Sequence, residues 1–139
     1  MRTGVTLIEL AFVIALIGIL AVMAIPRFAA FRDHAAADAA ATSTVALLST
    51  ARHAAIRRAV VTAVAFDTAA TSVTVFAGPD TIERRPLGVV HGVRMAVTRD
   101  SIAYAPNGMG YGAANTRVIV TRGASAETLT VSRLGRVRR

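Results

Sequence analysis

The sequence contains no cysteine, so it can form neither a disulfide bond nor a thiolate metal site. It also contains no lysine: all sixteen basic residues are arginine, which is typical of a GC-rich genome and lowers the weight of any single arginine. The three histidines, His34, His53 and His91, have neither a carboxylate nor a second histidine at ligand spacing. No Gly-x-Ser-x-Gly or Ser/His/Asp pattern stands out. We therefore expect a protein that is not an enzyme and that needs no metal and no cofactor.

One long run of hydrophobic residues near the N-terminus is the dominant feature of the sequence. The hydrophobic fraction of the 139 residues is 54% and the mean hydropathy is +0.54, and residues 5–25 supply much of this excess with Glu9 as their only charge. At about 1.5 Å rise per residue this run spans roughly 32 Å, close to the hydrocarbon thickness of a bilayer. Glu9 then requires an explanation, because an acid at mid-membrane costs roughly 2.5–3.5 kcal/mol.

The first 26 residues allow three interpretations. A secretory signal peptide would end at a small-x-small site such as Val22-Met23-Ala24, but Glu9 fits poorly in its apolar core. A plain transmembrane anchor fits the length and leaves Glu9 unexplained. Charge does not settle its orientation, since Arg2 on one side faces Arg27 and Arg32 on the other. The third interpretation is a cleaved assembly signal.

This third interpretation rests on Gly4–Leu10, GVTLIEL, which resembles the class III signal of type IV pilins and type II secretion pseudopilins. That signal has a Gly, a hydrophobic residue (usually Phe, here Val5), a Thr-Leu-Ile-Glu run and an apolar helix. The resemblance implies that a prepilin peptidase cuts between Gly4 and Val5 and that Val5 becomes the N-methylated first residue. It also implies that Glu9 meets the terminal amine of a neighbouring subunit, which compensates its charge in the filament. Pro26 stands where pilin helices carry a helix-bending proline.

The rest of the chain predicts more helix and then a sheet. Residues 27–60 contain neither Gly nor Pro and are rich in Ala, which favours continuation of the helix. A stripe on one side of it is predicted to pack on the sheet: Phe28, Phe31, Val45, Leu48, Arg52 and Ile56. Short β-branched runs between turn residues then predict six strands: Val61–Phe66, Ser72–Ala77, Leu87–Thr98, Ser101–Ala105, Arg117–Arg122 and Thr128–Arg133. We expect an α+β, pilin-like fold in which a long N-terminal helix, transmembrane and then amphipathic, packs on a small antiparallel β-sheet.

Three later segments narrow the resemblance to the GspH/FimT family of pseudopilins. Residues 51–67, ARHAAIRRAVVTAVAFD, resemble the end of that family's long helix and its first strand. Residues 102–112, IAYAPNGMGYG, and 128–139, TLTVSRLGRVRR, resemble its closing half. The resemblance implies that other pilins or pseudopilins, the prepilin peptidase and the bacterial inner membrane are partners of this chain.

The resemblance also implies a division of the chain. Residues 1–4 would be a class III leader peptide and residues 5–26 the transmembrane and assembly helix. Residues 27–139 would form a globular domain, with helix at 27–60 and sheet at 61–139, that lies in the periplasm before it joins the filament. The protein would thus be a single-pass inner-membrane protein first and a filament subunit afterwards.

The chain ends in SRLGRVRR. Its last seven residues, 133–139, include four arginines and no acid. If residues 136–138 are extended, Arg136 and Arg138 point to one face and Val137 to the other. Neighbouring guanidiniums suit phosphate oxygens, which they hold in a fork. Gly135-Arg136-Val137-Arg138 matches the Gly-Arg-x-Arg motif that the FimT branch carries near its C-terminus. The resemblance implies DNA binding during natural transformation, and we expect Arg133 and Arg139 to support it.

Three functions stay open on these grounds. The first is a minor pilin that captures DNA. The second is a type II secretion pseudopilin without DNA binding, whose C-terminal arginines are a solvated edge, and the third is a periplasmic enzyme with an uncleaved anchor. After cleavage, fifteen arginines face eight acids, and the net charge of +7 favours polyanions without sequence specificity. No aromatic residue interleaves with the motif, so the contacts expected are with backbone phosphates. Four other arginines would extend the positive surface formed by the C-terminal arginines if their strands lie nearby: Arg94, Arg99, Arg117 and Arg122.

The predicted cleavage can be tested on protein isolated from cells with an active prepilin peptidase. Mass spectrometry is expected to find a mature chain that begins at Val5 and carries one added methyl group. In peptidase-deficient cells the same chain should keep residues 1–4. Retention of residues 1–4 in the presence of the active enzyme would contradict the pilin interpretation of this segment.

Overall fold

The computed structural model describes residues 4–112 and 116–139. The chain divides into two compact units, Met1–Arg32 and Asp33–Arg139. Helix α1, Leu7–Arg58, begins in the first unit and ends in the second. It stops close to the predicted boundary at residue 60.

The first unit consists mostly of exposed, apolar helix. Thr6 caps α1: its Oγ1 accepts a hydrogen bond from the Glu9 N–H at 3.3 Å, and its carbonyl accepts one from the Leu10 N–H at 3.1 Å. Glu9 lies in the first turn, where a negative charge complements the helix dipole. Within the described residues, α1 is the one helix long and apolar enough to cross a membrane. Pro26 lies inside α1.

The second unit adds short strands and one short helix to the end of α1. In chain order they are β1 (Thr62–Asp67), β2 (Ser72–Ala77), β3 (Asp80–Pro86), α2 (Leu87–His91), β4 (Arg94–Val97), β5 (Ser101–Tyr104), β6 (Gly110–Tyr111), β7 (Thr116–Arg122), β8 (Ser125–Val131) and β9 (Val137–Arg138). They form a five-stranded sheet in the order β3-β2-β1-β5-β6 and a four-stranded sheet in the order β4-β7-β8-β9. Every strand pair is antiparallel. The predicted α+β fold, a long N-terminal helix on antiparallel sheet, is confirmed.

The strand prediction was right at Ser72–Ala77, was wrong at Leu87–Thr98, and missed the edge strands β3 and β6. Leu87–Thr98 is not one strand: its first half is α2, which ends at Gly92 with φ +64° and a hydrogen bond from the Gly92 N–H to the Gly88 carbonyl. The Val89-Val90 pair suggested a strand, but the glycine cap and the single buried residue, Leu87, suit one helical turn. The edge strand β3 was missed because its polar sequence, DTIERRP, lacks the β-branched signature.

The predicted helix stripe was also wrong in part. The buried face of α1 consists largely of alanines: Ala37, Ala40, Ala41, Thr44, Leu47, Leu48, Ala51, Ala54 and Ala55. Of the predicted stripe only Leu48 is buried and Val45 half-buried, whereas Arg52 and Ile56 are exposed. Because these side chains are small, larger strand residues such as Val64, Val75 and Val118 fill the core from the other side.

The burial of alanines on one face of α1 predicts an unequal response to enlarging them. Ala41 is fully buried and Ala46 is exposed on the same helix. Ala41→Leu should lower the free energy of unfolding by about 1–3 kcal/mol through overpacking, and Ala46→Leu should change it by less than about 0.5 kcal/mol. Chemical denaturation of the full chain in neutral detergent measures both. Equal stabilities would contradict the packing described.

Candidate anion-binding groove

The C-terminal arginines follow a tight turn that reverses the chain from β8 into β9. The Ser132 N–H donates to the Arg136 carbonyl at 2.8 Å, and the Gly135 N–H donates to the Ser132 carbonyl at 2.9 Å. Strand β9 then pairs with β8 so that Val137 lies opposite Val131 and Arg138 opposite Thr130. Val137 packs against the core, and Arg136 and Arg138 are exposed. This is the alternation that extended backbone predicts.

Glycine at position 135 lets this turn lie flat on the five-stranded sheet. Gly135 has φ +73°, and a Cβ added there would lie 2.8 Å from Cε1 of Tyr104 on β5. A Cβ added at Gly110 on β6 would lie 2.6 Å from the Arg133 carbonyl oxygen. Both distances are too short for a real side chain, so each glycine is required for the close approach. The turn therefore brings the Arg136–Arg138 segment up to β5 and β6.

A groove of about 440 Å³ opens beside this turn. Its lining comes from α1, β5 and the C-terminal segment: Val45, Leu48, Ser49, Arg52, Tyr104, Gly135, Arg136, Val137 and Arg138. Three of these residues, Arg52, Arg136 and Arg138, carry guanidiniums that pair with no carboxylate in the described ranges 4–112 and 116–139. The groove, which we call the arginine groove, therefore has a positive lining without a neutralising acid.

Tyr104 lies in the wall of the arginine groove and is fully buried. Its hydroxyl oxygen has no hydrogen-bond partner in the part of the chain that the structure describes. Burial raises the pKa of Tyr104, and the nearby Arg52 charge acts in the opposite direction and lowers that pKa. The Arg52 guanidinium is thus within electrostatic reach of the phenol.

Arg139, predicted to support DNA binding, has other partners in the structure. Its guanidinium contacts Asp38 of α1, Glu127 of β8 at 3.3 Å and the Thr42 hydroxyl at 3.4 Å. The hydrogen bond to Asp38 is the main cause that raises the pKa of Arg139. Arg139 therefore ties the end of the chain to α1 and β8, and a direct contact with an anion stays a prediction. Arg133, the other predicted supporting residue, is exposed in the turn.

The four further arginines lie in different places. Arg117 faces Thr130, which in turn faces Arg138 on the next strand, so Arg117 and Arg138 share one exposed face two strands apart. Arg122 is engaged by Asp33 at 3.1 Å and by the His91 carbonyl. Arg94 is on β4, at the opposite edge of the four-stranded sheet from β9, and Arg99 is exposed before β5. Only Arg117 extends the patch as the prediction required.

The lining of the groove includes no histidine among the described residues, although His53 contacts the lining residue Ser49. His91 Nε2 lies 3.5 Å from the Ser43 hydroxyl, His53 Nδ1 lies 3.3 Å from the Ser49 hydroxyl, and His34 Nδ1 lies 3.9 Å from Glu127. Within the described residues no group of three or more His, Asp or Glu side chains is placed to hold a metal ion.

Comparison with known proteins supplies the family. The family model described as type II transport protein GspH matches residues 40–135, well over half of the chain. The chain belongs to the GspH family. This confirms the resemblance seen in the sequence, and the GspH-family chain is accordingly a minor pilin or pseudopilin, a structural class of protein.

Solved structures agree on the fold of the GspH-family chain. It is similar to two crystal forms of the type IV minor pilin FimU of Pseudomonas aeruginosa strain PAO1. The first has a TM-score of 0.63 at 13% identity and covers 73% of this chain and 86% of that one. The second has a TM-score of 0.60 at 12% identity and covers 73% of this chain and 90% of that one. No curated protein sequence gives a significant match.

Sequence reasoning missed two members of the arginine groove. Its spacing predicts that Arg52 belongs to the stripe that packs on the sheet, although a charged residue in an apolar stripe is itself a signal of a different environment. Tyr104 lies in the segment IAYAPNGMGYG, and nothing in that segment indicates that its hydroxyl is buried without a partner. Both become visible only when β5 is placed beside α1 and the C-terminal turn.

The close approach at Gly135 is tested by adding one methyl group. Gly135→Ala and Gly112→Ala each put alanine at a positive φ, +73° and +66°, but a Cβ at 112 meets no described atom within 4 Å. In both variants the strained backbone should lower the free energy of unfolding by about 1–2 kcal/mol. In Gly135→Ala the clash with Tyr104 should lower it by about 1–3 kcal/mol more. Thermal or chemical denaturation measures the difference. Equal destabilisation would show that the turn does not lie on the ring.

The raised pKa of Tyr104 predicts an alkaline loss of stability. The unfolded chain ionises this tyrosine near the ordinary value of 10.0, whereas the folded chain ionises it only at higher pH. The contribution of neutral Tyr104 to the free energy of unfolding is therefore complete below about pH 9. Above about pH 10 it falls by at most about 1.4 kcal/mol per pH unit. Unfolding curves of wild type and Tyr104→Phe at about pH 8 and pH 11 should diverge, with the wild type becoming less stable by the larger amount. Parallel declines would contradict the burial of the hydroxyl.

Proposed function

We propose that this minor pilin or pseudopilin is a subunit of a type IV pilus-like filament that binds DNA non-specifically through Arg136 and Arg138. The observation that carries the proposal is the exposure of both guanidiniums on β9 and its preceding turn without a carboxylate partner among the described residues. Guanidiniums in that state bind phosphate oxygens without first breaking an ion pair. The net charge of +7 that remains after cleavage attracts a polyanion from a distance.

The N-terminal features support assembly into a filament. Gly4 and Val5 precede α1 and are exposed, so the bond between them is outside the helix and open to the prepilin peptidase. Glu9 is exposed in the first turn of α1, and its backbone N–H is bonded to Thr6. Its carboxylate forms no ion pair within residues 4–112 and 116–139 and is available to the methylated Val5 amine of a neighbouring subunit in the inner membrane. Pro26 would then bend α1 where the filament requires it.

A type II secretion pseudopilin is the second candidate function. The matched family model carries the description of a type II transport protein, which favours a role in protein export. In that case the arginine groove would hold an acidic group of another pseudopilin or of an exported protein, and DNA would not be its ligand.

DNA binding to the full chain in neutral detergent, measured against salt concentration, tests the first proposal. The double variant Arg136→Gln/Arg138→Gln should bind at least about tenfold more weakly. It should also lower the salt slope by about 1.5–2, because each phosphate that an arginine no longer neutralises keeps about one counterion on the DNA. A matched control, Arg84→Gln/Arg94→Gln, removes the same charge from exposed positions on β3 and β4.

The outcomes separate the two candidates. Weaker binding and a smaller salt slope in the C-terminal variant alone support the DNA-binding pilin. Equal effects in both variants, or no binding by wild type, contradict it and leave the secretion pseudopilin. In cells, the DNA-binding account also expects the C-terminal variant to lose transformation while protein export is unchanged.

A further inference from the structure

Besides Ser49, whose hydroxyl lies 3.3 Å from His53 Nδ1, the arginine groove contains two polar residues that lie outside the C-terminal Gly-Arg-x-Arg segment. Arg52 comes from α1, 84 positions before Arg136 in the numbering, and Tyr104 comes from β5. The fold brings both to one lining with Arg136 and Arg138. The question is whether they take part in binding or only fill space.

The polar groups of the lining are unbalanced toward hydrogen-bond donors. A guanidinium donates five N–H groups and accepts none. Three arginine residues contribute to the lining of the groove, and no lining residue carries a carboxylate. The Tyr104 hydroxyl is buried and has no acceptor in the described ranges 4–112 and 116–139. A buried hydroxyl without a partner, in a lining rich in donors, needs a hydrogen-bond acceptor. A ligand with several acceptor atoms, such as an oxyanion, supplies it.

Arg52 is held in place by the turn that joins β5 to β6. A Cβ added at Gly108 would lie 3.3 Å from Arg52 Nε and 2.8 Å from Cδ1 of Ile56, so this turn packs on both side chains. The turn is closed by hydrogen bonds of 2.8 Å from the Ala105 N–H to the Met109 carbonyl and from the Gly108 N–H to the Ala105 carbonyl. A cation with its stem already packed loses less side-chain entropy when it binds an anion.

The size of the groove indicates how much of a nucleic acid it encloses. Its volume of about 440 Å³ falls in the range of about 300–1,000 Å³ that is usual for pockets that hold small ligands. A duplex lies across a surface and touches it with separated phosphates, whereas a groove of this volume has room for one phosphate together with part of its nucleotide. The arginine residues of the lining supply the hydrogen-bond donors for that phosphate.

We propose that Arg52 and the Tyr104 hydroxyl complete, with Arg136 and Arg138, a binding site for one phosphate group of a nucleic-acid strand. This deepens the proposed DNA binding and rests on it. Arg136 and Arg138 hold the phosphate from the C-terminal segment, Arg52 holds it from α1, and the Tyr104 O–H donates to one phosphate oxygen.

The test compares Arg52→Gln with Arg57→Gln on the full chain in neutral detergent. Arg57 is exposed on the same helix and does not line the groove, so the two variants lose the same charge. The probe is a labelled single-stranded thymidine oligonucleotide of about sixteen nucleotides, the upper site size of single-strand-binding folds. Arg52→Gln should weaken binding about tenfold and Arg57→Gln less than about twofold. Equal weakening would overturn the inference.

Tyr104→Phe gives a second readout that folding alone would not move. The variant keeps the packed ring and removes an unpaired hydroxyl, so its melting temperature should be unchanged or higher. Its affinity for the oligonucleotide should fall about three- to tenfold. Unchanged affinity would overturn the role of the hydroxyl, and with it the proposed site.

Two further arms identify the ligand and separate the two proposals. Inorganic phosphate at millimolar concentration should compete with the oligonucleotide for wild type more strongly than chloride of equal ionic strength does; equal competition would contradict a phosphate site. If Arg136→Gln/Arg138→Gln does not weaken binding, the proposed function itself fails. If that variant weakens binding but Arg52→Gln and Tyr104→Phe behave like Arg57→Gln, only the present inference fails.

Discussion

The close packing of Gly135 on the ring of Tyr104 is the constraint on which the C-terminal half of the structure depends. Because residue 135 has no side chain, the Ser132–Arg136 turn lies directly on β5 and β6. From there β9 pairs with β8 and places Val137 toward the core. The exposure of Arg136 and Arg138 follows from this placement, since strand residues alternate between faces.

The arginines of the C-terminal segment consequently have different tasks. Arg139 binds Asp38, Glu127 and Thr42 and fastens the end of the chain to α1 and β8. Arg136 and Arg138 keep their guanidiniums free of carboxylates among the described residues and line the groove that Arg52 shares. One ion-paired arginine thus orders the segment in which its neighbours stay available to an anion. The C-terminal arginines look alike in the sequence, but in the fold Arg139 is ion-paired, whereas Arg136 and Arg138 are not within the part of the chain that the structure describes.

The fold was predictable from its strongest patterns, and the site only in part. The glycine-free and proline-free run predicted the long helix, and SVTVFA predicted β2 with its correct ends. The packing face of α1 was not predictable from large apolar residues, because the helix buries alanines such as Ala40 and Ala51. Likewise, the sequence motif indicated Arg136 and Arg138, whereas Arg52 and Tyr104 join them through the tertiary packing of distant segments. Local sequence patterns do not indicate which distant segments pack together.

The most direct test of the account is NMR of the full chain in neutral detergent during titration with single-stranded DNA. Shifts should concentrate on the arginine side-chain signals of Arg52, Arg136 and Arg138 and on the backbone amides of Gly135 and Val137, and Arg139 should keep its signal. Shifts spread over arginines of the other strands, such as Arg84 and Arg94, with none at the groove would contradict the account and would mean that the DNA follows the overall positive charge.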